Sequence, residues 1–69
     1  MPPSSDFSNS LKRLRLAKGI SQEGLSALAG VDRTYISMLE RGKRNPSLLT
    51  IEKIAAALEM ETWEFIKEL

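Results

Sequence analysis

The sequence predicts an all-α fold, a compact bundle of five short helices, and three observations carry that reading. Apolar residues recur at three-and-four spacing, as in Leu48, Ile51, Ile54, Ala55 and Leu58, which is the period of a helix with one buried face. Glycines close successive segments at Gly19, Gly30 and Gly42, while Ser21, Asp32 and Ser47 stand where helix caps are needed. No stretch reads as a strand. With 69 residues and 42% apolar composition, the chain has room for one core and one domain.

The elements follow in order. MPPSSD, residues 1 to 6, has two prolines and two serines and is expected to be a disordered tail. With no Lys or Arg before Lys12, it is not an arm for a nucleic-acid groove. The folded domain then occupies residues 7 to 69. Phe7, Leu11 and Leu14 mark a first helix over residues 7 to 18, with Arg15 at the border of its buried stripe. A second helix runs over residues 22 to 29, capped by Ser21 and weakened by Gly24, which costs about 1 kcal/mol against Ala. Gly30 ends it with a positive φ, and Asp32 caps a third helix over residues 33 to 41. Ser26, at the expected closest approach of these two helices, is small. Pro46 in the basic loop KRNPS blocks continuation, and a fourth helix follows over residues 48 to 58. The fifth, over residues 62 to 69, carries Trp63, Phe65, Ile66 and Leu69, too many large apolar groups for one face. Phe65 and Ile66 are assigned to the core, and Trp63 and Leu69 to a surface covered by a second copy of the chain.

Two short helices joined by one tight turn, from Ser21 to Gly42, form a helix-turn-helix pattern. Leu25, Ala29, Val31, Ile36 and Leu39 face inward, whereas Arg33, Thr34, Ser37, Met38 and Arg41 point elsewhere. Hydrogen-bonding side chains at the start of an exposed helix suit the major groove of DNA. Charge supports that use. Residues 1 to 46 carry eight basic against four acidic side chains, a net +4, and residues 47 to 69 carry two against five, a net −3. A basic face thus precedes an acidic end, as expected where one side meets phosphates.

Other function classes fare worse. With no Cys and no His, the usual zinc, haem and nucleophile–base arrangements are missing, and no cofactor or metal is expected. Nothing places a nucleophile beside a base, and so small a chain leaves little volume for a substrate pocket, so an enzyme is not expected. No apolar run reaches the roughly 20 residues of a membrane span, and the N-terminus lacks the regions of a signal peptide. A cytoplasmic location is expected.

The order LKRLRLAKGISQEGLSALAGVDRTYISMLERGKRNPSLLTIEKIAAAL resembles the phage-repressor and Cro type of DNA-binding domain, the XRE type, over about residues 7 to 66. Asp32-Arg33-Thr34-Tyr35-Ile36-Ser37, with Glu40-Arg41-Gly42 and Arg44-Asn45-Pro46-Ser47-Leu48, is most similar to the controller proteins of restriction–modification systems. These are small dimeric regulators that time endonuclease expression. The resemblance implies a lambda-repressor-like fold. It places Arg33, Thr34, Ser37 and Met38 at base-facing positions, Arg41, Lys43, Arg44 and Asn45 at the DNA backbone, and Gln22 both on phosphate and against the recognition helix. It also implies an internal ion pair between Arg15 and Glu40. Two residues depart from the pattern: Glu59 replaces a usual Gly after the fourth helix, and Glu61 replaces a Ser or Thr cap of the fifth.

The side chains leave some roles open. Arg33 has the planar fork that matches guanine O6 and N7, although a phosphate contact would also use its charge. Thr34 suits a phosphate, a thymine methyl or its own backbone. Ser37 reaches a base edge only if the helix enters by its N-terminal end, and Met38 suits thymine methyls or plain solvent. The Tyr35 hydroxyl suits a phosphate, and its ring suits half-burial in the core. The expected function is a sequence-specific transcription regulator acting as a homodimer on an inverted repeat. Its partners would be double-stranded DNA, a second copy and, for an activator, RNA polymerase, with no membrane partner. A phage or host repressor is the alternative within this class. An antitoxin-type module, holding a partner protein through its acidic end or fifth helix, is the alternative outside it.

Overall fold

The structure, a computed structural model, describes residues 3–68 and has five helices and no strand among them. Helix α1 spans Pro3–Ala17, α2 Gln22–Ala29, α3 Arg33–Glu40, α4 Leu48–Ala57 and α5 Thr62–Lys67. The all-α bundle expected from periodicity is therefore present. One boundary differs substantially. Residues 3 to 6, assigned to a disordered tail, form the first turn of α1. Proline is favoured at the first position of a helix, because its φ is already helical and its missing N–H would have no acceptor there. Met1 and Pro2 lie outside the described residues.

Each helix contributes to one core. Phe7 and Leu11 come from α1, Leu25 and Ala29 from α2, Ile36 and Leu39 from α3, Ile54 and Ala55 from α4, and Phe65 from α5, with Leu58 just past α4. Helix α2 packs on α3 and α4, α1 on α3, and α4 on α5. The rings of Phe7 and Phe65 meet edge to face, 5.7 Å apart at 89°, and join the first helix to the last. Buried serines of α1 tie it to two other elements. Ser8 Oγ donates to the Leu39 carbonyl at 2.6 Å, and Ser10 Oγ donates to the Glu68 carbonyl at 3.0 Å. Arg13 adds an exposed ion pair to Glu68 at 3.2 Å.

Two assignments to the core are corrected. Leu48 is 64% exposed, since the buried face of α4 runs through Thr50, Ile54 and Ala55 and leaves position 48 at its margin in the first turn. Ile66 is 45% exposed, because Phe65 points inward and the next residue is rotated about 100° away. Trp63 is also exposed, and Leu69 lies outside the described residues.

Helix ends explain how such short elements stay in place. After α1, α3 and α4, the same pair of backbone bonds closes the last turn: Ile20 N to Arg15 O, Lys43 N to Met38 O, and Met60 N to Ala55 O are the longer-range members. The residue that turns left-handed is Gly in the first two cases. After α4 it is Glu59, with φ 59°. The Glu61 backbone N–H donates to the Glu64 carboxylate at 2.9 Å, so the fifth helix starts on a capping box without a Ser or Thr.

Candidate nucleic-acid interface

The two helices α2 and α3 and the turn that joins them are set by short-range bonds. Ser21 Oγ accepts from the Gly24 N–H at 2.9 Å, and Asp32 Oδ1 accepts from the Thr34 N–H at 3.4 Å. Between them Gly30 has φ 70° and ψ 33°, and its N–H and that of Val31 both donate to the Ser26 carbonyl. A left-handed residue there turns the chain within the three residues that separate α2 from α3. A Cβ at Gly24 would lie 3.1 Å from Ile20 and 3.2 Å from the capping Ser21 hydroxyl. Space at the cap therefore accompanies the poor helix propensity of this glycine.

Helix α3 is locked from behind. Arg15 Nε donates to Glu40 Oε2 at 2.6 Å, and Arg15 Nη2 donates to Glu40 Oε1 at 2.9 Å. The remaining guanidinium nitrogen donates to the Ile20 carbonyl at 2.8 Å, and Gln22 Nε2 donates to Glu40 Oε1 at 3.1 Å. Side-chain exposures of 9% for Arg15 and 4% for Glu40 show that the pair is almost free of solvent. The hydrogen bond to Glu40 raises the Arg15 pKa above its ordinary value, against the opposing effect of burial. A bidentate fork fixes angle as well as distance, so α1, α2 and the end of α3 are held as one unit.

The start of α3 is open. Arg33 and Thr34 at its start are exposed, Ser37 and Met38 are half-buried, and Ile36 and Leu39 are buried beneath them. Tyr35 is half-buried, its ring packed against the core. Past the helix end, Arg41, Lys43, Arg44 and Asn45 are exposed. Arg41 Nε reaches back to the Ser37 carbonyl at 3.4 Å, and the Arg44 guanidinium lies 5.6 Å from the centre of the Tyr35 ring. An open groove lined by Val31, Asp32, Thr34, Tyr35, Met38 and Arg44 runs beside the helix.

The residues expected at bases lie on α3, and Arg41, Lys43, Arg44 and Asn45, expected at the backbone, lie just after it, whereas Gln22 stands on α2 with its amide on Glu40. Arg15 and Glu40 are buried at the C-terminal end of α3. Trp63 stands apart on α5, exposed. Sequence reasoning did not anticipate the roles of Ser8 and Ser10 or the stack of Arg44 on Tyr35. Ser8 had a usable signal, since it stands three and seven residues before Leu11 and Arg15, on the same stripe of α1. Among the described residues, no group of His, Cys, Asp or Glu is placed to hold a metal ion. No helix among them is long and apolar enough to cross a membrane.

Comparison with known proteins places this geometry. The chain is similar to the control protein C.MunI of a Mycoplasma species, 45% identical over 64 residues that cover 91% of this chain and 86% of that protein. It is also similar to the control protein C.BamHI of Bacillus amyloliquefaciens, 46% identical over 80% of this chain and 69% of the relative. Its fold superposes on the crystal structure of the restriction–modification controller protein C.AhdI from Aeromonas hydrophila with a TM-score of 0.88 and 46% identity. That match covers 94% of this chain and 98% of the other. The helix-turn-helix profile matches residues 11–64, and with it the whole of α2, the turn and α3: the chain belongs to the helix-turn-helix family.

Proposed function

We propose that the chain is a sequence-specific DNA-binding transcription regulator that acts as a homodimer on an inverted repeat, as the controller of a restriction–modification system. The observation that carries this reading is the exposed start of α3, with Arg33 and Thr34 in solvent, on a helix braced by the buried Arg15–Glu40–Gln22 cluster. A recognition helix must keep its angle while its outer side chains exchange water for base edges. Here the brace holds the last residue of the helix and the exposed side chains stand at its first turn.

In this mechanism the basic residues bring the protein to DNA and the helix reads it. Arg41, Lys43 and Arg44, with Asn45 and Gln22 at the margins, meet phosphates, which sets affinity and register without specifying sequence. Arg33 presents its fork to guanine, Thr34 and Ser37 offer hydroxyls to neighbouring edges, and Met38 offers an apolar contact to a thymine methyl. A dimer docks two such helices on successive turns of one duplex face. Trp63 belongs to the surface between the copies. Occupancy of a promoter then represses it, or activates it through RNA polymerase, according to where the site lies.

Electrophoretic mobility with the DNA upstream of the protein's own gene tests the reading. The expected result is a preferred site that survives excess random competitor at 100 mM salt, to be expected of a specific binder. Retardation abolished equally by any competitor would refute it. Arg33→Ala is expected to reduce the preference for the site by roughly 5- to 150-fold, the worth of one bidentate base contact, while random-duplex binding persists. An equal loss on random DNA would make Arg33 a phosphate clamp instead.

A further inference from the structure

Arg44 sits in the loop after α3, and its guanidinium is held over the face of Tyr35, a residue of α3 itself. Asp32 lines the same groove, yet its carboxylate caps the start of α3, and no carboxylate pairs with Arg44 among the described residues. The ring is anchored, being half-buried against the core, while the guanidinium is exposed. A half-buried aromatic face under an exposed cation is an arrangement that orients the cation without neutralising it.

We infer that Tyr35 is a positioning residue for nucleic-acid binding: its ring face, not its hydroxyl, holds Arg44 at the edge of the reading helix in the geometry that meets a phosphate. This rests on the DNA-binding reading above. An unrestrained arginine has many rotamers, and freezing them on contact weakens binding. A guanidinium already stacked has fewer to lose. The ring therefore raises affinity without adding a contact to DNA, and its effect passes entirely through Arg44.

Binding to the upstream duplex and to a random duplex, each titrated over a range of salt, tests this together with proton spectra of the free protein. In those spectra the Arg44 side-chain protons are expected upfield, shifted by the ring, in the wild type and in Tyr35→Phe. Tyr35→Leu should weaken binding to both duplexes by about two- to fivefold, the range of an exposed cation–π contact, with the salt slope unchanged. Tyr35→Phe should restore what Tyr35→Leu loses. Arg44→Ala should make the slope shallower by about 0.9, one phosphate, and in that background Tyr35→Leu should have no further effect.

Several results would overturn the proposal. Arg44 resonances at ordinary shifts in the wild type would do so, and this readout needs no destabilised variant. Equal losses in Tyr35→Phe and Tyr35→Leu would give the role to the hydroxyl. A loss in Tyr35→Leu that persists without Arg44 would make the ring merely structural. Failure of the parent reading looks different, because the wild type would then not prefer the upstream duplex whatever the variants do.

Discussion

Arg15 and Glu40 show how much one buried contact controls. Their pair is bidentate and nearly solvent-free, and Gln22 shares the same carboxylate. Breaking it leaves a buried charge without a partner. Glu40→Ala is therefore expected to destabilise by about 3–5 kcal/mol in thermal or urea unfolding, whereas replacing both with apolar residues of similar volume should recover most of that loss. The hydroxyl of Ser8, bonded to the Leu39 carbonyl at 2.6 Å, is smaller in effect: Ser8→Ala should cost about 1 kcal/mol by the same measurement. Neither change touches the open face of α3. The ion pair was legible beforehand only through the resemblance and the border position of Arg15. The serine went unread because a hydroxyl on a buried stripe has value only once a carbonyl faces it.

At the scale of the element, the joints matter more than the helices. Gly30 turns left-handed with nothing within 4 Å of an added Cβ, so Gly30→Ala tests conformation alone. It should lower stability by about 1–2 kcal/mol, the cost of the left-handed region for an L-residue. Glu59 occupies that region already, with φ 59°. Glu59→Gly should raise stability by about 0.5–1 kcal/mol once the greater freedom of glycine in the unfolded chain is subtracted. At about 4–8 °C per kcal/mol for a domain of this size, calorimetry resolves both changes. The glycines announced their turns in the sequence, and so did the caps Ser21, Asp32 and Ser47. The structure begins α1 at Pro3, ahead of the boundary read from the apolar spacing, and proline in the first turn is a favoured helix start.

At the scale of the molecule, the described residues measure 30 × 24 × 22 Å. Successive major grooves on one face of DNA are roughly 34 Å apart, so one copy spans a single half-site and cannot carry two reading helices at that spacing. Two copies can. The apolar surface left open on α5 by Trp63 and Ile66, 64% and 45% exposed, is where the second copy is placed under the proposed function. Trp63→Ala is expected to raise the dimer dissociation constant at least tenfold in sedimentation while leaving helicity within the error of circular dichroism, as truncation of a buried interface anchor would. A dimer of unchanged affinity would remove Trp63 from the interface.

Periodicity, caps and glycines are local, and each helix with its main inward residues could be read from a few neighbouring positions. So could the exposed start of α3, since its apolar residues already claim the other side. Burial is decided between elements. Leu48 fits its helical stripe yet remains in solvent, because no neighbouring helix covers the margin on which it stands, and Ile66 is turned outward by the helix that points Phe65 inward. The clasp of α1 onto α3 and α5, and the ring of Tyr35 beneath Arg44, likewise join positions whose meeting depends on how the helices cross.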